Sequence, residues 1–102
     1  MATLLTESNY QESISKGVTL VDVYADWCGP CKTISPIIEE LSNEATDYSV
    51  FKVDIDKSSD IINEIGVRSV PTILIYKDGE VVDRHVGIAS KDRLDTLAKK
   101  YL

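Results

Sequence analysis

Two hydrophobic periods alternate along this chain. "VTLVDVYA" (18–25) is nearly continuous in apolar and β-branched residues, the mark of a strand covered on both faces. From Cys28 to about Ala45 the spacing changes: Ile34, Ile37, Ile38, Leu41 and Ala45 fall at i, i+3, i+4, i+7 and i+11, one buried helical stripe. Pro36 interrupts that pattern and should kink the helix, because it lacks an N–H and clashes with the preceding turn. Upstream, "TLLT" (3–6) predicts a short strand. "ESNYQESISKG" (7–17) predicts a helix, with Tyr10 and Ile14 one turn apart and Gly17 as its stop. "SVFKVDI" (49–55) is another strand, and "SSDIINEIG" (58–66) a helix ended by Gly66. "TILIYK" (72–77) and "EVVDRHV" (80–86) flank Asp78-Gly79, a pair that accepts the positive φ angles of a tight hairpin turn. "SKDRLDTLAKKYL" (90–102) closes the chain as a capped helix with Leu94, Leu97, Ala98 and Tyr101 on its inner face. The order βαβαβ followed by ββα predicts an α/β sheet, parallel at first and antiparallel at the end, with helices on both faces.

Composition narrows what such a domain can do. The 102 residues carry no linker, repeat or low-complexity tract, so a single domain over 1–102 is expected. A chain of this size buries somewhat under ~70% of its unfolded surface and needs no staple or metal to fold. Asp and Glu outnumber Lys and Arg 17 to 11, a net charge of −6, which argues against nucleic acid or an anionic membrane as partner. No apolar run approaches the ~20 residues of a membrane span. The opening "MATLLTESNY" has no basic segment and too short an apolar stretch for a secretory signal. The expectation is a cytoplasmic protein whose thiols are kept mostly reduced.

Against that background, "ADWCGPCK" (25–32) holds both cysteines of the chain. As a staple, a crosslink between Cys28 and Cys31 would close a loop of four residues for only about 2 kcal/mol. The first turn of a helix would hold those residues in place anyway. A structural zinc site needs four ligands, and only His85 could add a nitrogen. Redox chemistry fits better. Cys28 lies where a buried strand ends and a helix begins, so its sulfur faces unpaired N–H groups and the positive end of the helix dipole. Both favour the thiolate, the form that attacks a disulfide. Cys31 follows almost one turn later, within reach of the first sulfur and more sheltered, while Gly29 and Pro30 keep the turn compact. A C-x-x-C at a βα junction in a cytosolic chain is a redox signature.

These residues resemble the thioredoxin family, nearly end to end. "WCGPC" (Trp27 to Cys31) is similar to the family's active-site motif, and "LVDVYADWCGPCK", "KVDID", "VPTILIYKDGE" and "VGIASKDRL" stand in the family's order and spacing. The resemblance implies the thioredoxin fold, a central mixed five-stranded sheet flanked by four helices. It also implies a protein-disulfide reductase, a redox carrier with no cofactor and no metal of its own. Its partners would be protein disulfide clients and a thioredoxin reductase, either flavin-containing and NADPH-dependent or ferredoxin-linked, and it would act as a monomer. The Gly-Pro pair between the cysteines is the reductase type. Three positions depart from the family's usual residues: Tyr24 stands where tryptophan is more common, Thr33 where methionine is, and Ser69 where glycine is. Tyr24 should alter fluorescence and packing, and Ser69 adds bulk beside the substrate groove.

The resemblance also assigns roles. Cys28 would be the nucleophile and Cys31 the resolving thiol, the two forming the redox-active disulfide Cys28–Cys31. Asp22 sits mid-strand among apolar neighbours, where an ionised carboxylate is costly and burial should raise its pKa. By the resemblance it is the proton acceptor for Cys31. Lys52, by its residues alone a solvated edge lysine, would lie beside Asp22 and modulate its charge. Pro71 can start a strand without losing a ladder bond, and the family carries a cis proline there facing the cysteines. Trp27 adjoins Cys28 at a loop and reads as a groove wall. Gly29, Pro30, Ile55, Val70, Val86, Gly87 and Ile88 would complete an apolar substrate surface, with the Val70 backbone pairing an extended client. His85 reads as an exposed strand residue without function. Two rivals remain: a binding module that uses the groove with its cysteines idle, and an oxidase or isomerase. Known reducing and oxidising members of this fold differ by ~150 mV, about 7 kcal/mol for two electrons.

Overall fold

The computed structural model describes residues 2–102. Its elements are β1 (Thr3–Leu4), α1 (Tyr10–Ile14), β2 (Val18–Tyr24), α2 (Gly29–Glu44), β3 (Ser49–Asp54), α3 (Ser59–Ile65), β4 (Thr72–Lys77), β5 (Glu80–Val86) and α4 (Lys91–Lys99). The five strands form one sheet in the order β1-β3-β2-β4-β5. β1 and β2 run parallel to β3, whereas β4 is antiparallel to both β2 and β5. This is the α/β thioredoxin fold expected from the sequence, with five strands and four helices.

Strand alternation divides the interior in two. Val18 and Leu20 of β2, Val50 of β3 and Ile73 and Ile75 of β4 face one way, against Ile34, Ile38 and Leu41 of α2 and Leu94 and Ala98 of α4. Val21, Val23, Val53, Leu74 and Tyr76 face the other way, against Tyr10 and Ile14 of α1 and Ile61, Ile62 and Ile65 of α3. β2 is central and buried from Val18 to Val23, which is why its sequence shows no polar face. The Tyr10 and Tyr76 hydroxyls reach each other at 2.8 Å inside the second core, so neither ring buries an unpaired polar tip. Ile34 and Ile38 are 0% and 1% exposed. Truncating either to alanine should cost ~2–5 kcal/mol and loosen the helix that carries Cys31 and is capped by Cys28.

Several boundaries are tighter than the periodicity suggests. The helix expected over 7–17 is confined to Tyr10–Ile14. Asn9 Oδ1 accepts the Thr6 N–H at 2.7 Å and Asn9 Nδ2 donates to Leu4 O, holding residues 6–9 as a turn. The same contact takes Thr6 out of the first strand. At the far end Ser15 Oγ donates to Glu12 O and Gly17 adopts φ 69°. Ser90 caps α4 by accepting the Arg93 N–H at 3.1 Å. α2 runs through Pro36 as one element, with the proline on its exposed side. Asp78 and Gly79 take φ 51° and 91° at the hairpin tip.

Candidate active site

β2 delivers the chain to one rim of the sheet, and a turn over Ala25–Cys28, closed by Cys28 N–H to Ala25 O at 3.2 Å, launches α2. Cys28 is the N-cap of that helix, with Pro30 in its first turn. Its Sγ accepts the Cys31 N–H at 3.2 Å, the place a serine or aspartate oxygen takes in an ordinary cap. A sulfur so placed faces helix N–H dipoles that stabilise negative charge. Cys28 and Cys31 are joined as a disulfide with their Cα atoms 5.3 Å apart, so the protein is in its oxidised form.

The contrast in exposure expected between the cysteines is absent: each is 4% exposed. With the sulfurs joined, each covers the other, and Ala25, Tyr24, Ile55 and Val70 pack around the pair. The two differ in what they face. A cleft of about 270 Å³ between α2 and the sheet is lined by Cys31, Asp22, Lys52 and Glu39, among others, and not by Cys28.

Asp22 and Lys52 are register partners across the β2–β3 pair, so both side chains project toward α2. Asp22 is 3% exposed, and its Oδ1 is buried with no hydrogen-bond partner among the described residues. Burial pushes its carboxyl up to about 7; the Lys52 charge pulls it down and Glu39 pushes it up. The nearest carboxylate to the Lys52 ammonium is Glu39 Oε2 at 3.6 Å, and Glu39 Oε1 accepts the Ala2 N–H at 2.7 Å. Sequence reasoning did not single out Glu39: on α2 it follows the apolar Ile38 as one of two consecutive glutamates, indistinguishable by pattern from a solvent-facing residue. Tyr24 also lines the cleft, and burial pushes its phenol upward, followed by Asp54, Asp26 and Asp22.

On the other side of the sulfurs, the Val70–Pro71 bond is cis. Val70 packs on the cysteine pair, and Pro71 O accepts the Gly87 N–H at 2.9 Å, tying the β5–α4 loop to the same rim. Trp27, Val86 and Ile88 are 70%, 63% and 52% exposed. With exposed Gly29 and Pro30 they frame an apolar surface around the disulfide. The Trp27 indole is pinned by Nε1–H to Asp56 Oδ2 at 2.8 Å, and Asp56 by its own N–H to Asp54 Oδ1 at 2.8 Å. These two aspartates also escaped the sequence reading, although they flank Ile55 in "KVDID". Ser69 is exposed, its carbonyl accepting the Thr72 hydroxyl at 2.6 Å. His85 is half-buried, with Nε2 3.3 Å from Ile88 O.

No group of three or more His, Cys, Asp or Glu side chains is placed to hold a metal ion among the described residues. No helix among them is long and apolar enough to cross a membrane.

Comparison with known proteins agrees with this geometry. The family profile described as "Thioredoxin" matches residues 1–100. The chain is 41% identical over 101 residues to the thioredoxin of Chlamydia muridarum, covering 99% of each chain. It is 43% identical over 98 residues to that of Bacillus subtilis, covering 95% of this chain and 94% of the relative. Among solved structures, a mutant thioredoxin from Halobacterium salinarum superposes with a TM-score of 0.90 at 36% identity, covering 98% of this chain and 89% of that one. The joined cysteines at a helix start, the buried carboxylate and the full-length similarity lead to one conclusion: the chain belongs to the thioredoxin family of thiol–disulfide oxidoreductases.

Proposed function

We propose that the protein reduces disulfides in client proteins by two successive exchanges at Cys28 and Cys31. In the reduced form, the Cys28 thiolate attacks one client sulfur; a Cys28–client disulfide forms and the other client sulfur leaves as a thiolate. Cys31 then gives its proton toward the Asp22 carboxylate and its sulfur attacks Cys28 Sγ. The mixed disulfide breaks, the second client thiolate leaves, and Cys28–Cys31 is oxidised as the client is reduced. Lys52 tunes the charge of Asp22 across the β2–β3 register. Trp27, Gly29, Pro30, Ile55, Val70, Pro71, Val86, Gly87 and Ile88 seat the client, whose extended backbone pairs beside Val70. Electrons return from a thioredoxin reductase in the cytoplasm.

The observation that carries this reading is the division of labour around one disulfide. Cys28 Sγ occupies the helix cap, while Cys31 opens onto the cleft that holds Asp22. A nucleophile needs the first environment and a resolving thiol the second. Cys31→Ser should therefore accumulate a covalent client adduct on Cys28, seen by mass spectrometry, whereas Cys28→Ser should lose the dithiothreitol-driven reduction of insulin. A Cys31→Ser protein that accumulates no adduct breaks the role assignment. Unchanged insulin reduction in Cys28→Ser would turn the site into a binding groove with idle sulfurs.

A further inference from the structure

Asp22 faces a defined set of groups. From β3 comes Lys52, and from β4 the apolar Ile73. α2 contributes Cys31, Lys32, Ser35 and Glu39 to the cleft, while Asp26 and Tyr24 line its rim. Lys52 is the cation in register with Asp22, yet its ammonium is paired with Glu39 at 3.6 Å. Glu39 is itself fixed, because its second oxygen holds the Ala2 N–H at 2.7 Å. The cation is therefore tethered on the α2 side, and the buried Asp22 Oδ1 is left without a protein partner among the described residues.

We propose that Glu39 is a positioning residue for the proton transfer at Cys31: by holding the Lys52 ammonium on α2 it keeps that cation from closing onto Asp22, whose carboxyl so retains its affinity for a proton. Two effects act in the same direction. An unopposed lysine near a carboxylate stabilises the charged form, and a second carboxylate nearby disfavours it. Removing Glu39 relieves the repulsion and frees the lysine, so Asp22 would become a weaker base. The influence of Lys52, downward, and of Glu39, upward, on the Asp22 carboxyl agrees with this sense.

The inference rests on Asp22 being the proton acceptor, and two measurements separate the claims. The first follows the Asp22 carboxyl by carbon NMR through a pH titration of the oxidised protein. Glu39→Gln keeps an oxygen for the Ala2 N–H and should lower the midpoint by about half a pH unit or more. Glu39→Asp should stay nearer the wild type, and Lys52→Met should raise the midpoint. In the Lys52→Met background the effect of Glu39→Gln should shrink to the direct repulsion alone. An unmoved midpoint in Glu39→Gln, or a fall equally large without Lys52, overturns the proposal. The second measurement is the single-turnover release of client from its Cys28 adduct as a function of pH, where the acid limb should move down with the Glu39→Gln midpoint. If Asp22→Asn leaves that limb in place, the proton-acceptor reading fails, and with it any part for Glu39 in the reaction. If Asp22→Asn abolishes the limb while Glu39→Gln leaves it unmoved, only the inference about Glu39 fails.

Discussion

Asp22→Asn removes a charge that the interior disfavours, and its effect on stability should depend on pH in one direction. In the folded protein, burial lifts the carboxyl from its ordinary 3.8 to about 7. The unfolded chain has no such burial. Between the two values the folded state holds a proton that the unfolded state has released, so stability falls as pH rises through that window and levels off above it. At ~1.36 kcal/mol per pH unit, the whole fall is on the order of 4 kcal/mol. At 3% exposure Asp22 offers little solvent screening to discount it. The amide of D22N cannot titrate, and its own buried donors cost about 1–3 kcal/mol at every pH alike. The slope with pH therefore isolates the carboxyl. Urea unfolding of oxidised wild type and D22N at fixed ionic strength gives the comparison. From about pH 5 to about pH 8.5, D22N should gain about 3 kcal/mol relative to wild type. Parallel stability curves, with a constant offset between the two proteins, would refute the reasoning.

Three further expectations follow from other parts of the molecule. In the reduced protein, the Cys28 thiol should ionise below the ordinary value of ~8.5, since helix N-terminal charge stabilisation of ~0.3–2 kcal/mol acts on the thiolate. Thiolate absorbance in the Cys31→Ser variant reads this directly, and a midpoint at or above the free-cysteine value counts against the cap argument. Ile88→Asp, at an exposed position on the rim, should raise KM for protein clients several-fold while the reaction of Cys28 with a small disulfide stays unchanged. Equal losses on both substrates would take Ile88 out of the client surface. Gly66→Ala, at φ 76° with nothing within 4 Å of the added methyl, should cost about 1–2 kcal/mol in chemical denaturation from backbone conformation alone.

Much of this fold is legible because each side-chain pattern has one dominant cause. β2 lacks a polar face because helices cover both of its sides, and the Ile34, Ile38 and Leu41 stripe is apolar because it lies on the sheet. The Asp78-Gly79 turn is visible because few residues accept its φ angles. What pattern does not reveal is polar pairing between distant elements. Asn9 shortens α1 through its own side chain, a choice that helix periodicity cannot register. Asp56 matters only because the Trp27 indole reaches it across 29 positions. Glu39 resembles any glutamate on a helix until Lys52 and Ala2 are seen on its two oxygens. Asp22 stood out for the opposite reason, as a lone carboxylate in an apolar run. The equal burial of the cysteines was also out of reach, because it depends on Ala25, Tyr24, Ile55 and Val70 packing around the pair from separate parts of the chain.

The mixed sheet has a consequence for how the protein is made. Because β4 runs against β2 and β5 against β4, the ends of β2 and β3, the start of β4 and the end of β5 all meet at the rim that carries Cys28. A ribosome that has released the first half of the chain has supplied both thiols but neither Pro71 nor Gly87. On the proposed reading, the client surface at Pro71 and Gly87 would therefore be completed last, when the hairpin joins the sheet at β2.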